Sequence, residues 1–233
     1  LVNTVSFDVC YGDIGKLEKL PGVASVSLAK KYEVGMFSAK EMTGVLEAWK
    51  MGQSGYTGKG MAIAIIDTGV NYLHQDMVQN TENAKYSKAE MGEKIASLGH
   101  GQWYSDKVPF GYSYVTGRNE ILNEANVHGY HVAGISAATG DEEKGHISGV
   151  APDAQIFAMQ VYDSETASGG YTDDIICAIE DAVKLDADII NMSLGQDNGF
   201  FQSDRYMNAA VNRAAAEGVF VSTAAGNSGI STD

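Results

Sequence analysis

The sequence has few cysteines and prolines, no long apolar segment and fewer basic than acidic residues. Its 233 residues include two cysteines and three prolines. Cys10 and Cys177 lie far apart, which disfavours a disulfide framework or a metal site and predicts two buried or half-buried thiols. The longest purely apolar run, residues 61–66, is far too short to span a bilayer. A net charge of −14 repels phosphate backbones, so nucleic acid is not an expected partner.

The chain is instead rich in glycine and in short apolar segments. Its 27 glycines indicate many tight turns, and 44% hydrophobic residues suffice for one globular core with a small appendage. A continuous apolar run at residues 61–66 and a second at residues 156–161, interrupted only by Gln160, predict strands covered on both faces. Residues 187–192 and 219–224 are weaker strand candidates, because each contains polar residues. Amphipathic stretches predict helices between them, beginning near Thr172 and Ser203. This alternation predicts an α/β fold with a doubly wound parallel sheet.

Other segments are predicted to lie outside that sheet. Residues 1–34 read as strand, short helix and strand, so we expect a small α+β unit there. A further helix is predicted at residues 38–52, and the polar, weakly periodic residues 71–120 predict a surface insertion. The chain opens with Leu1 rather than Met and ends without a closing element, so we expect part of a longer protein.

Polar residues cluster where the predicted strands end. Asp67 follows the first strand, residues 193–195 follow the third, and Asn227 follows the fourth, while His128 begins a helical stretch. In parallel sheets the chemistry collects beyond the carboxyl ends of the strands. An imidazole oriented by a carboxylate can take the proton of a hydroxyl nucleophile, and a side-chain amide can stabilise an oxyanion. These residues predict an acyl-transfer site.

Three other kinds of site fit the same residues less well. His128 and His131 are close enough to ligate zinc, but no Glu stands where a metalloprotease places its general base. Asp67 fits an aspartyl-phosphate enzyme, but no second carboxylate for magnesium follows it. The glycines of residues 58–60 precede the first strand rather than follow it, which disfavours a phosphate-binding loop.

Five motifs in order carry a resemblance to the subtilisin-like serine proteases, or subtilases. The segment IIDTGV at residues 65–70 resembles their aspartate motif, HGYHVAGI at residues 128–135 their histidine motif, and AAGNSG at residues 224–229 their oxyanion asparagine turn. NMSLG at residues 191–195 is similar to their substrate-binding strand end, and GVAP at residues 149–152 to a further family segment. The likeness is strongest to the cell-envelope proteinases of Gram-positive bacteria, the lactocepin and C5a peptidase group.

The resemblance implies a secreted or cell-envelope serine endopeptidase that hydrolyses peptide bonds in proteins through an Asp/His/Ser triad. It makes Asp67 and His128 triad members and Asn227 the oxyanion donor. It also implies that residues 35–233 are the N-terminal part of the catalytic domain. The residues that it assigns to pairing with the substrate backbone, as an added strand, are Ser193, Leu194 and Gly195.

The resemblance further implies partners and ions. The segment PGVASV at residues 21–26 resembles the end of a subtilase propeptide, so residues 1–34 are expected to chaperone and inhibit the enzyme as the C-terminal part of such a propeptide. No cofactor is needed for the chemistry. Subtilases commonly bind structural calcium, for which the acidic stretches of the chain could supply oxygens, although no ligand set has a recognisable spacing.

Two features depart from the family pattern. Tyr130 stands where most subtilases have Thr, and its bulk is expected to alter the packing beneath the histidine. No Gly-Thr-Ser segment, which holds the nucleophile in the family, occurs in the sequence. We therefore expect the serine to lie outside this chain, and this chain alone not to hydrolyse peptides. A non-catalytic peptide-binding protein of the same fold is the alternative.

Overall fold

The computed structural model describes residues 9–26, 36–53, 55–162, 170–195 and 205–226. The chain divides into two units, Leu1–Gly35 and Met36–Asp233. In the first unit a 3₁₀ turn, Tyr11–Asp13, leads into the one-turn helix α1, Ile14–Leu17. Residues 24–26, where the sequence predicts the start of a strand, have no regular structure, and the strand's remaining residues lie outside the described ranges. The first predicted strand also falls largely outside them.

Five parallel strands form one sheet within the described part of the second unit. The strands are β1 (Ala62–Asp67), β2 (Phe110–Ser113), β3 (Gln155–Gln160), β4 (Ile189–Met192) and β5 (Phe220–Thr223). In space their order is β2-β3-β1-β4-β5. The central strand β1 pairs with β3 on one side and with β4 on the other, and all six of its residues are buried. This burial explains the continuous apolar run in the sequence.

Helices cover both faces of this sheet, which confirms the predicted doubly wound α/β fold. The helices are α2 (Met36–Met42), α3 (Val45–Ala48), α4 (Lys88–Leu98), α5 (His128–Ala137), α6 (Thr172–Lys184) and α7 (Arg205–Ala216). Ile63 and Ile65 of β1 share a hydrophobic cluster with residues of α5 on one face. Ala64 and Ile66 share a second cluster with residues of α6 and α7 on the other face. Alternate residues of a strand point to opposite faces, so one apolar run serves both cores.

The prediction of a surface insertion at residues 71–120 is wrong. The segment contains α4 and the strand β2, and Phe110 of β2 is fully buried with its ring 6.2 Å from that of Phe157. The four residues of β2, FGYS, include a glycine and a serine and so produce no apolar run. Glycine is required at position 111, because a Cβ atom there would lie 2.6 Å from the ring of Tyr104.

Two smaller predictions also differ from the structure. The helix expected over residues 38–52 is interrupted between α2 and α3, where Gly44 has a φ of 75°, a left-handed conformation that breaks the helix. Cys10 and Cys177 are both exposed free thiols rather than buried ones. Among the residues that the structure describes, no helix is long and apolar enough to cross a membrane.

Candidate active site

Asp67 lies at the carboxyl end of the central strand. It is the last residue of β1 and is 1% exposed. The backbone N–H of Thr68 donates a hydrogen bond of 2.7 Å to its Oδ1 atom. A carboxylate that is buried in this way needs such donors.

His128 is the first residue of α5, and its ring meets the carboxylate of Asp67. The Nδ1 atom lies 2.8 Å from Oδ1 and 3.0 Å from Oδ2. Since an ionised carboxylate can only accept, Nδ1 carries the proton, and Nε2 is the basic nitrogen of the neutral ring. The side chain of His128 is 53% exposed, against 1% for Asp67. The pair therefore combines a buried anion with an imidazole that solvent or a ligand can reach.

The start of α5 packs very closely against the end of β1. The hydroxyl of Thr68 accepts the N–H of Gly129 at 2.9 Å and donates to the carbonyl of Asn126 at 2.9 Å. A Cβ on Gly129 would lie 2.2 Å from the carbonyl oxygen of Gly69, so only glycine allows this approach. The two motif segments, HG at residues 128–129 and DTG at residues 67–69, thus pack α5 against the end of β1, and they also carry the side chains of His128 and Asp67.

The loop that precedes His128 is held by polar groups that the sequence analysis missed. Asn123, which is fully buried, donates from Nδ2 to the carbonyl of Thr68 at 3.0 Å. Gln160 at the end of β3 donates from Nε2 to the same carbonyl at 2.9 Å. Gln160 had a signal in the sequence, since it is the polar residue that interrupts an apolar run. Asn123 had none.

Tyr130 contacts the loop before the histidine through its hydroxyl group, and the expected effect of its bulk on the packing beneath the histidine stays a prediction. The backbone N–H of Asn123 donates a short hydrogen bond to that oxygen. Burial raises the pKa of the Tyr130 hydroxyl, with further contributions from the nearby Glu124 and Glu120. The phenol therefore stays neutral near neutral pH and remains available as a hydrogen-bond partner.

The other predicted site residues lie at the same edge of the sheet or outside the described ranges. Ser193, Leu194 and Gly195 directly follow β4, which is the neighbour of β1, and Gly195 is exposed. The hydroxyl of Ser193 accepts from the side-chain amide of Asn191 at 2.9 Å. Asn227 lies outside the residues that the structure describes, which end at Gly226 in this part of the chain.

The described residues offer no evident metal site. Among them, no group of three or more His, Cys, Asp or Glu side chains is placed to hold an ion. Two acidic side chains in stretches that could supply calcium ligands are paired with basic groups instead. Asp141 lies 2.7 Å from Lys144, and Asp76 lies 2.8 Å from His146. Neither pair tests the calcium expectation, and calcium binding stays a prediction.

Comparisons with known proteins agree on one family. The family model described as the subtilase family matches residues 58–233. The PI-type proteinase of Lactococcus lactis subsp. cremoris is 36% identical over 237 residues, covering 99% of this chain and 12% of that protein. The minor extracellular protease Vpr of Bacillus subtilis (strain 168) is 36% identical over 194 residues, covering 80% of this chain and 20% of that protein.

A solved structure shares the fold. Sphericase has a TM-score of 0.51 and 29% identity, covering 80% of this chain and 53% of that chain. The chain thus spans about half of that structure and 12% of the lactococcal proteinase.

Proposed function

Since the chain belongs to the subtilase family, we propose that it carries two members of the catalytic triad of a serine endopeptidase, Asp67 and His128. The resemblance read from the motifs is confirmed by the family match, and the relatives are named as proteinases. The observation that supports the assignment most directly is the 2.8 Å contact between His128 Nδ1 and the buried carboxylate of Asp67.

In the proposed reaction, His128 serves first as general base and then as general acid. Its Nε2 takes the proton of a serine hydroxyl as that oxygen forms a bond to the carbonyl carbon of the peptide. The same proton then passes to the amide nitrogen, the C–N bond breaks, and an acyl-enzyme remains, which water hydrolyses by the reverse sequence. Asp67 keeps the proton on Nδ1 and stabilises the imidazolium. The serine lies in a segment outside this chain.

Two further groups complete the proposed site. The side-chain amide of Asn227 donates to the oxyanion that forms when the serine attacks. Loss of such a donor costs about 10²–10³ in turnover in subtilisin, a member of the same family. The backbone of Ser193, Leu194 and Gly195 pairs with the substrate as an added strand, which suits protein and peptide substrates in extended conformation.

We also propose that residues 1–34 are the C-terminal part of a propeptide, and that the protein acts outside the cell or at its envelope. The similarity to the lactococcal proteinase extends over 99% of this chain, whereas the family model begins at residue 58. The relative from Bacillus subtilis is named as extracellular. Both observations support the proposal without testing it.

The proposed function is tested in the full-length protein by casein hydrolysis. We expect Asp67→Asn and His128→Ala each to lower turnover by at least ~10³. A matched control is His100→Ala, because His100 also pairs with a buried carboxylate, that of Asp181, at 2.6 Å. That variant should keep the turnover of the unaltered protein.

The outcomes separate the two functions that the sequence leaves open. Full activity in His128→Ala would remove the role assigned to this residue. If the unaltered full-length protein does not cleave casein, and its gene encodes no Gly-Thr-Ser segment after residue 233, the non-catalytic peptide-binding protein is the correct assignment.

A further inference from the structure

One buried side chain connects the two elements that carry the histidine and the aspartate. Asn123 is fully buried in the loop before α5. Its Nδ2 atom donates to the carbonyl of Thr68 at 3.0 Å, and its Oδ1 atom accepts the N–H of Asn126 at 2.9 Å. Its own backbone N–H donates to the hydroxyl of Tyr130. Thr68 directly follows Asp67, and Tyr130 stands two residues after His128 on α5.

The loop also bonds to the first turn of α5, whose N-cap residue, Val127, makes no side-chain capping bond. The side-chain oxygen of Asn126 accepts the N–H of His128 at 3.2 Å, and the carbonyl of Asn126 accepts from the Thr68 hydroxyl at 2.9 Å. The first N–H groups of a helix have no partner within the helix, so the bond from His128 to Asn126 helps to hold the first turn in place. His128 is in that turn. A displacement of Asn123 would move Asn126, and with it the backbone that holds the imidazole.

We propose that Asn123 and Tyr130 are positioning residues, which together hold the loop of residues 123–127 and thereby the ring of His128 in contact with Asp67. This inference rests on the proposed function insofar as the ring is catalytic. The imidazole is half exposed, and its polar contacts in the structure are those to Asp67. Its orientation therefore depends on where the backbone of α5 begins. A misplacement of about 1 Å can lower turnover by about 10²-fold.

The sharpest test is Tyr130→Phe in the full-length protein, because it removes only the oxygen that accepts from Asn123. We expect kcat for a peptide substrate to fall about 3- to 10-fold, which is the effect of one net hydrogen bond, with KM unchanged within about twofold. The matched control is Tyr86→Phe. The hydroxyl of Tyr86 is also bonded inside the protein, to Asp186 Oδ2 at 2.9 Å, and its removal should leave kcat unchanged.

A second measurement does not depend on catalysis. Hydrogen–deuterium exchange of the peptide that spans residues 121–127, read by mass spectrometry, should be at least about 10-fold faster in Tyr130→Phe than in the unaltered protein, and unchanged in Tyr86→Phe. Asn123→Asp, which keeps the acceptor for Asn126 but loses the donor to Thr68, should lower kcat in the same way as Tyr130→Phe. If Asn123→Asp does not fold, Tyr130→Phe alone decides.

Unchanged kcat and unchanged exchange in Tyr130→Phe would overturn the inference. Failure of the proposed function gives a different result, since His128→Ala would then retain full activity. A higher KM with an unchanged kcat in Tyr130→Phe would also contradict a positioning role, because it would indicate that the Tyr130 hydroxyl contacts the substrate instead.

Discussion

At the scale of single residues, Lys107 of the second unit is unusual, because a lysine side chain rarely lies in the protein interior. The side chain is fully buried, next to the start of β3. Its Nζ atom donates to the carbonyls of Pro152 and Ala154, each at 2.6 Å, and to the side-chain oxygen of Gln79 at 3.3 Å. Lys107 thus anchors the segment before β2 to the turn that begins β3. Burial lowers its pKa from 10.5 to about 7, against the opposing effect of Asp153.

This shift predicts a dependence of stability on pH. In the unfolded chain Lys107 holds its proton up to its ordinary pKa of 10.5, whereas in the folded chain it releases the proton near 7. Between these values the unfolded state binds more protons, so the free energy of unfolding rises with pH. We expect a rise of about 1–2 kcal/mol between about pH 7.5 and 9.5 in the unaltered protein relative to Lys107→Met. Urea unfolding at several pH values measures it.

The control for this experiment is a lysine of the same unit that lies at the surface. Lys144 pairs with Asp141 and its side chain is 75% exposed. Lys144→Met should therefore leave the pH dependence as it is in the unaltered protein. Parallel pH curves for Lys107→Met and the unaltered protein would show that Lys107 keeps its proton in the folded state.

At the scale of elements, the sequence predicts those strands and helices whose burial leaves a pattern. The runs that predict β1 and β3 overlap strands whose residues are all buried, and Ile175, Ile179 and Ala182 give α6 its apolar stripe. The sequence does not predict β2, because the strand is short and two of its four residues are not apolar. Gly111 stands there because a larger side chain would not fit, and the hydroxyl of Ser113 accepts a hydrogen bond from Thr116 N–H.

In the candidate site, too, the sequence predicts some of the residues and not others. Asp67 and His128 are recognisable because glycines flank them, and both glycines are required by close packing: Gly129 against the carbonyl of Gly69, and Gly69 against the carbonyl of Ile121. The role of Asn123 cannot be read from the sequence, because its partners are a carbonyl, an N–H and a tyrosine hydroxyl that only the folded chain brings together. Single polar residues in loops carry no periodic signal.

The close packing of α5 on β1 predicts that an alanine substitution at Gly129 is harmful, and Gly134 of the same helix provides the control. A Cβ on Gly129 would lie 2.2 Å from Gly69 O, whereas a Cβ on Gly134 meets nothing within 4 Å. We expect Gly129→Ala to lower the free energy of unfolding by about 1–3 kcal/mol and kcat/KM by at least tenfold, because α5 must move away from Asp67. Gly134→Ala should instead raise stability by up to about 1 kcal/mol, since alanine favours the helix. Thermal unfolding and peptide hydrolysis of both variants check this, and similar effects at the two positions would contradict it.

At the scale of the whole molecule, the charge is distributed unequally between the two units. Residues 1–35 contain four lysines and four acidic residues, so their net charge is zero, and the entire −14 belongs to residues 36–233. A propeptide of this composition is neither attracted to nor repelled from the rest of the protein by net charge. We therefore expect net charge to contribute little to the proposed inhibition, so that salt affects it little.

The zero net charge of residues 1–35 predicts how a separate peptide of these residues inhibits the full-length protein from which they have been removed. We expect inhibition of casein hydrolysis, with an inhibition constant that changes by less than about threefold between about 0.05 M and 0.5 M salt. The control peptide carries Lys16→Glu and Lys19→Glu, which gives it a net charge of −4. It should inhibit more weakly at low salt, because an acidic protein repels it, and recover as salt screens the repulsion. Absence of inhibition by the unaltered peptide would remove the propeptide assignment, and strong salt dependence of that peptide would show that local ion pairs rather than backbone pairing hold it.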